Sequence, residues 1–157
     1  MAALPIDSFL EIFDELYIGS YGKSFTWVID RDPGQGFIDV IKAISAEDAS
    51  RPLNQSGSTI AAHTEHLRWS LNYALTFFEG KQERRDWNES WKVKAVTTEE
   101  WKNLQSTLLN EYIAVRTAVL EATNLDNPQF LTGVMALLPH AAYHLGAIKQ
   151  MVLMLKE

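Results

Sequence analysis

The chain has four histidines, and they fall in two pairs, His63/His66 and His140/His144. Side chains three or four residues apart on a helix share a face, with Cβ atoms roughly 5–6 Å apart. If both segments are helical, each pair points its imidazoles one way, and two facing helices would bring the pairs to one point. Neutral imidazole is the commonest biological metal ligand. Three imidazoles with an open fourth position form a catalytic rather than a structural zinc-type site. For any one of these histidines the plainer reading is a hydrogen-bonded core residue. Against it stands the fact that two clusters hold every histidine of the chain. His140 and His144 have the H-x-x-x-H spacing of zincin metalloproteases, but Ala141, Ala142 and Tyr143 lie between them. The glutamate base of H-E-x-x-H is missing, so the chain is not a zincin.

The segments that carry these residues read as helices. A first helix is expected from about Pro5 to Tyr21, with Ile6, Phe9, Leu10, Phe13, Leu16 and Tyr17 on one face and Gly19 and Gly22 at its exit. Asp32 to Gly36 is a turn sequence, a short helix from Phe37 to Ile44 follows, and Ala49 to Gly57 reads as loop. A second long helix opens at Ser58 or Thr59, both good N-cap residues, and ends at Gly80. Gly80 to Val96 is polar and charged apart from Trp87 and Trp91 and shows no structure of its own. Long loops of this kind in compact domains are often functional. Thr97 and Glu100 form a capping box for a third helix reaching about Thr123, and Asn124 to Gln129 reads as a turn. Phe130 to Lys156 is the fourth helix, and Pro139 inside it must either kink it or begin a new one. Strand alternation is scarce. The expectation is a single all-α domain over residues 1–157, a four-helix bundle whose long first connection, Gly22 to Gly57, allows a crossover topology.

The segment Ser58-Thr-Ile-Ala-Ala-His-Thr-Glu-His-Leu67, followed by Pro139-His-Ala-Ala-Tyr-His-Leu-Gly-Ala-Ile-Lys-Gln150, resembles the DinB-like superfamily of metal-dependent four-helix proteins. The likeness extends to the tryptophan-containing loop from Asp86 to Trp91 and covers most of the chain. It implies a DinB-like bundle topology and one ligand from the His-Leu dipeptide of the second helix, here His66, with His140 and His144 completing the set. It also implies a divalent transition metal, Zn²⁺ or Ni²⁺ above others, and a small-molecule substrate. Some relatives are thiol-dependent S-transferases, so a low-molecular-weight thiol becomes a candidate partner, beside a hydrolase chemistry on metal-activated water. Members often pair through helices, which makes a homodimer the expected assembly. His63, on nearly the same face as His66, could be an alternative ligand but is read first as a core residue or a donor behind a ligand.

Other residues receive plainer readings. Glu65 falls on a different helix face and reads as solvated. Glu111 and Glu121 read as surface charges, Glu111 bordering the apolar stripe. Trp69, Tyr73, Trp101 and Tyr112 sit at helical spacings as core or interface residues. Trp87 and Trp91 are read as packing on the bundle ahead of contacting substrate, and Lys81, Arg84 and Arg85 as solvated or as an attractant for an anion. No dedicated acid–base residue is visible beyond the candidate Tyr143.

A net charge of −6 argues against nucleic acid as a partner, since phosphate binding needs a basic face. No uninterrupted apolar run approaches the roughly 20 residues of a membrane span. The stretch Met1–Tyr17 contains four acidic residues and no lysine or arginine, unlike a secretory signal. There is no cysteine, hence no disulfide and no thiolate ligand, and any thiolate nucleophile must arrive with a cosubstrate. A cytoplasmic location fits these features. Besides a metal-dependent enzyme, two other classes remain: a non-catalytic metal- or ligand-binding stress protein, and a structural bundle whose histidines are core residues.

Overall fold

The structure is a computed structural model that describes residues 4–157. The first three residues of the N-terminal stretch compared above with a secretory signal lie outside that range. Among the described residues the secondary structure is entirely helical. Four long helices, α1 (Ile6–Ile18), α4 (Ile60–Phe78), α5 (Thr98–Glu121) and α6 (Pro128–Met154), are joined by two short ones, α2 (Phe37–Lys42) and α3 (Ala46–Ala49), and by a 3-10 helix, Trp87–Trp91. α1 packs on α5 and α6, and α4 packs on the same two helices from the other side. The core between them is apolar and aromatic, with Phe13, Leu16, Tyr17, Leu71, Leu108 and Ile148 almost fully buried.

Local chemistry explains where the helices begin and end. Thr59 caps α4 by accepting from the Ala62 N–H at 3.0 Å, and its own hydroxyl donates to the Lys94 carbonyl at 2.7 Å, tying the helix start to the loop before α5. The capping box of α5 forms with Thr97 and Glu100 in reciprocal contact. α1 ends at Ile18, short of Tyr21, because Gly19 turns to φ 102° and its N–H closes onto the carbonyls of Asp14 and Glu15. The opposing Gly36 has no room for a side chain. A β-carbon there would lie 2.5 Å from the Gly19 nitrogen, so the entry to α2 rests directly on the exit of α1. α6 starts two residues earlier than its apolar pattern suggests, at Pro128, because Asn127 caps it and proline suits a first-turn position.

Pro139 neither ends α6 nor starts a new helix; the helix runs through it to Met154. Proline leaves the carbonyl four residues back without its donor. That residue is Met135, and both it and Pro139 are exposed, so water can take the freed carbonyl. α6 also corrects the hydropathy reading, since by length and composition alone it is apolar enough to cross a membrane. One stripe of it, Val134, Leu137, Ala141, Leu145, Ile148 and Met151, is buried in the protein.

The long connection from α1 to α4 is held by one carboxylate. Glu15, only 1% exposed, accepts from the backbone N–H groups of Trp27, Val28 and Ile29 at 2.6–3.0 Å. Farther along, the Trp101 indole donates to the Ile44 carbonyl at 2.8 Å, and the Gln105 amide donates to that of Ile41 at 3.0 Å. These α5 side chains satisfy carbonyls at the end of α2 and just beyond it, and so dock the connection onto the core. The Glu15→Ala variant would leave three N–H groups without their acceptor, at a cost of about 3 kcal/mol. Urea unfolding should show that loss; a change below about 1 kcal/mol would mean that the carboxylate does not hold the connection.

Candidate metal centre

α4 and α6 face each other across the end of the core where α4 begins, and their histidines meet there. His66 Nε2 lies 3.1 Å from His140 Nε2, which lies 3.1 Å from His144 Nε2. One ring nitrogen from each of the three falls within 4.8 Å of the other two, so the group is close enough to hold a metal ion. Nitrogens on tetrahedral positions 2.0–2.1 Å from a zinc ion would lie roughly 3.3 Å apart. His66 and His144 are buried and His140 is half-buried.

The hydrogen bonds behind the rings decide which nitrogens are bare. Ser90 Oγ donates its single proton to the Trp87 carbonyl at 2.6 Å, so towards His66 Nδ1, 2.7 Å away, it can only accept. His66 therefore carries its proton on Nδ1, and its Nε2 is a free lone pair. Ser70 repeats the device at longer range, donating to the Leu67 carbonyl at 2.7 Å and facing His140 Nδ1 at 3.4 Å. His140 Nε2 is then bare as well. Two lone pairs 3.1 Å apart repel unless a cation lies between them. Placing the His144 proton on Nε2 would satisfy His140 but leave His66 bare against it.

That cation is not readily a proton. Burial lowers the pKa of all four imidazoles, and at His66 and His144 the positive charge that neighbouring rings would carry adds to it, bringing His66 to about 4 and His144 to about 3. At neutral pH the site is a set of neutral rings, the form that metals bind. At His66 and His144 burial also moves proton competition below the pH 7 to 5 range that unperturbed histidines would give.

His63 stands behind His144 and not among the three. Its Nδ1 lies 2.9 Å from His144 Nδ1, and its Nε2 lies 2.8 Å from Ser58 Oγ. With the shared proton on His144 Nδ1, His144 Nε2 becomes the third bare nitrogen, and His63 directs its own proton to Ser58. A ligand histidine typically donates its second N–H to such an outer partner, which fixes the tautomer and ring orientation.

The loop from Gly80 to Val96, expected to lack structure, builds one wall of the site. Its 3-10 helix is capped by Asp86, which accepts from the Asn88 N–H, and it buries Ser90 completely against His66. Trp91 stacks on the His66 ring with centroids 4.1 Å apart and meets His63 edge-on at 5.3 Å. Trp87 lies 5.8 Å from His66 and 6.3 Å from His140. The two tryptophans thus pack on the histidines as well as on the helices. Arg85 is half-buried and engaged: it donates to the Asn72 side chain at 2.7 Å, pairs with Glu83 and sits over the rings of Trp69 and Tyr73. Lys81 pairs with Glu79, away from the imidazoles.

The acidic candidates are elsewhere. Glu65 is not solvated but grips Arg68 through two bonds of 2.7 Å, and Glu111 joins the cluster by way of Arg68 and Asn72, so neither is a surface charge. Glu121 is exposed, as expected. Tyr143 points outward, 72% exposed, although its ring edge lies against His144. Among the described residues no carboxylate hydrogen-bonds to an imidazole. Sequence reasoning missed Ser90 and Ser70. Ser70 carried a signal, a hydroxyl on the apolar stripe of α4 one turn after His66, whereas nothing local distinguished Ser90.

Comparison with protein-family models, with characterised proteins and with solved structures gives no match to this chain. The chemistry of the site therefore rests on its own geometry.

Replacing His140 or His144 with alanine should abolish metal binding, and His63→Ala should weaken it far less. Ser90→Ala, which strips His66 Nδ1–H of its acceptor, should lower affinity about 10-fold or more with helicity retained by circular dichroism. Calorimetric titration with zinc reads all four, and equal loss in every histidine variant would break the three-ligand assignment. A second expectation concerns pH. The unfolded chain protonates its histidines near 6.5, whereas the folded chain holds His66 and His144 neutral to about 4 and about 3. The folded state thus binds fewer protons below pH 6.5, so this stabilisation is complete above that value and is lost as pH falls towards the folded values. The urea midpoint of metal-stripped protein should drop between pH 7.5 and pH 4.5, and a flat midpoint would contradict the burial of neutral imidazoles.

Proposed function

We propose that this protein is a metal-dependent enzyme built on a four-helix bundle of DinB-like topology, with Zn²⁺ or Ni²⁺ held by His66, His140 and His144. The observation that carries the reading is the 3.1 Å approach of two imidazole nitrogens that buried serine hydroxyls keep unprotonated. The long helices α1, α4, α5 and α6 and the crossover between α1 and α4 support the topology.

A divalent ion bound there supplies Lewis acidity, enough to deprotonate a coordinated thiol outright or to bring the pKa of water towards neutrality. The chain's own part is to orient and enclose. Ser90, Ser70 and the Ser58–His63 pair aim the lone pairs inward. Trp91 covers one face of His66, and the packed loop keeps water from that side. Proton transfer is where the two reaction types separate. With Glu65 and Glu111 bound to Arg68 and Tyr143 turned outward, no carboxylate or phenol among the described residues is placed to act as general base. A thiol is already far more acidic than water and would depend less on such a base, and this favours a thiol-dependent S-transferase acting on a small electrophilic molecule over a hydrolase.

The proposal includes a cytoplasmic homodimer. Exposed apolar residues one heptad apart on α5, Ile113 and Leu120, support the pairing. A non-catalytic metal-binding protein is the alternative, and turnover separates the two.

Untagged protein should carry about one divalent transition ion per chain by elemental analysis. It should also consume a low-molecular-weight thiol together with an electrophile in a reaction that stops on chelation and returns with added metal. Metal content without turnover across a panel of thiols and electrophiles would select the binding-protein reading, and absence of metal after reconstitution would remove both.

A further inference from the structure

A cavity of about 560 Å³ opens between α4 and the first half of α6, beside the three histidines. His140 and Trp87 belong to its wall, so one side of it is the metal centre itself. The rest is apolar, with Phe77, Phe78, Phe130 and Leu137 contributing most of the large side chains. No lysine, arginine, aspartate or glutamate lines it, in a chain where 22% of residues are charged. The few polar groups in the wall are mostly engaged. The Ser70 hydroxyl bonds to the Leu67 carbonyl, and the Tyr73 hydroxyl reaches the Glu83 carbonyl at 2.9 Å. The volume lies within the 300–1,000 Å³ usual for small-molecule sites, and such sites are mostly apolar with a few polar groups that fix orientation.

We propose that this cavity is the subsite for an uncharged aryl or alkyl group of the molecule on which the metal centre acts. The inference rests on the metal reading above and adds the substrate class to it: a hydrophobic small molecule whose reactive end lies at the histidines. Trp87 is the hinge of the argument, because one indole contacts His66 and His140 and also faces the cavity. A group lodged against it is held next to the coordinating nitrogens. Burying a phenyl ring that would otherwise stay in water is worth about 30-fold in affinity.

Gly133 gives the means of testing this. It lines the cavity, and a β-carbon there would meet no heavy atom within 4 Å. Gly133→Leu should fill the space without disturbing the helix, since leucine is the better helix former. Ala136→Leu, on the same helix and also lining the cavity, is the second filling variant.

Protein loaded with cobalt(II), a spectroscopic stand-in for zinc, is titrated with phenylethanethiol and with mercaptoethanol, following the thiolate-to-cobalt absorption band. The wild type should bind the aryl thiol about 30-fold more tightly. In Gly133→Leu and Ala136→Leu the aryl advantage should shrink to below about threefold, with cobalt uptake and mercaptoethanol binding kept. Equal affinity of the wild type for the two thiols would overturn the subsite, as would an aryl advantage that survives both filling variants. A chain that takes up no cobalt refutes the metal reading instead. In that event, quenching of tryptophan fluorescence by phenylethanethiol, present in the wild type and lost in the filling variants, still upholds the apolar cavity, and its absence removes that too.

Discussion

A hydroxyl group has one proton, and the arrangement of this protein's histidines turns on where Ser90 spends it. The Trp87 carbonyl takes it, leaving the Ser90 oxygen able only to accept, so His66 must present a proton behind and a lone pair in front. Ser70 does the same for His140, and His63 extends the pattern to His144. The interior is thus polarised inward, with donors outside and acceptors at the centre. Such an arrangement among neutral rings is unfavourable without a positive charge in the middle, and burial denies that role to a proton. The rest of the molecule, from the capped start of α4 to the proline-tolerant run of α6, keeps this concentration of lone pairs in place.

The loop between α4 and α5 is part of that scaffold. Arg85, Asn72, Glu111, Arg68 and Glu65 form one connected set of contacts running from the loop across α4 to α5. Through it the orientation of the 3-10 helix, and so of Ser90, is fixed against two long helices. These charged residues serve to hold the wall of the histidine site.

Much of the helical organisation was legible from the chain alone, because amphipathic periodicity and caps are local. Thr59, the Thr97/Glu100 box and the helical spacing of Leu104, Leu108 and Tyr112 needed no tertiary information. Helical spacing was likewise enough to put each histidine pair on one face, whereas the choice of His66 over His63 for the group with His140 and His144 came from the DinB-like resemblance and not from spacing. What failed to show depends on partners distant in sequence. Glu15 reads as one more acidic residue until its three backbone donors appear 12 to 14 residues later. Ser90 reads as a loop serine until its oxygen is found on a ring 24 residues away. Of the two outcomes Pro139 allows, a new helix does not occur, because the cost of proline in a helix depends on whether water can reach the carbonyl it orphans, which is a property of exposure rather than of sequence.

The separation of the ligands along the chain has a consequence for how the molecule comes together. His140 and His144 share one helix, but His66 lies 74 residues before the first of them. In an unfolded chain an ion finds at most the local pair, and recruiting the third nitrogen requires closing a long loop against its entropy. Only the native arrangement offers all three at once. An ion bound there would therefore act as a reversible crosslink between the middle and the end of the polypeptide, and it would favour the folded population by mass action. Occupation of the three-histidine site would, in the same stroke, report that folding is complete.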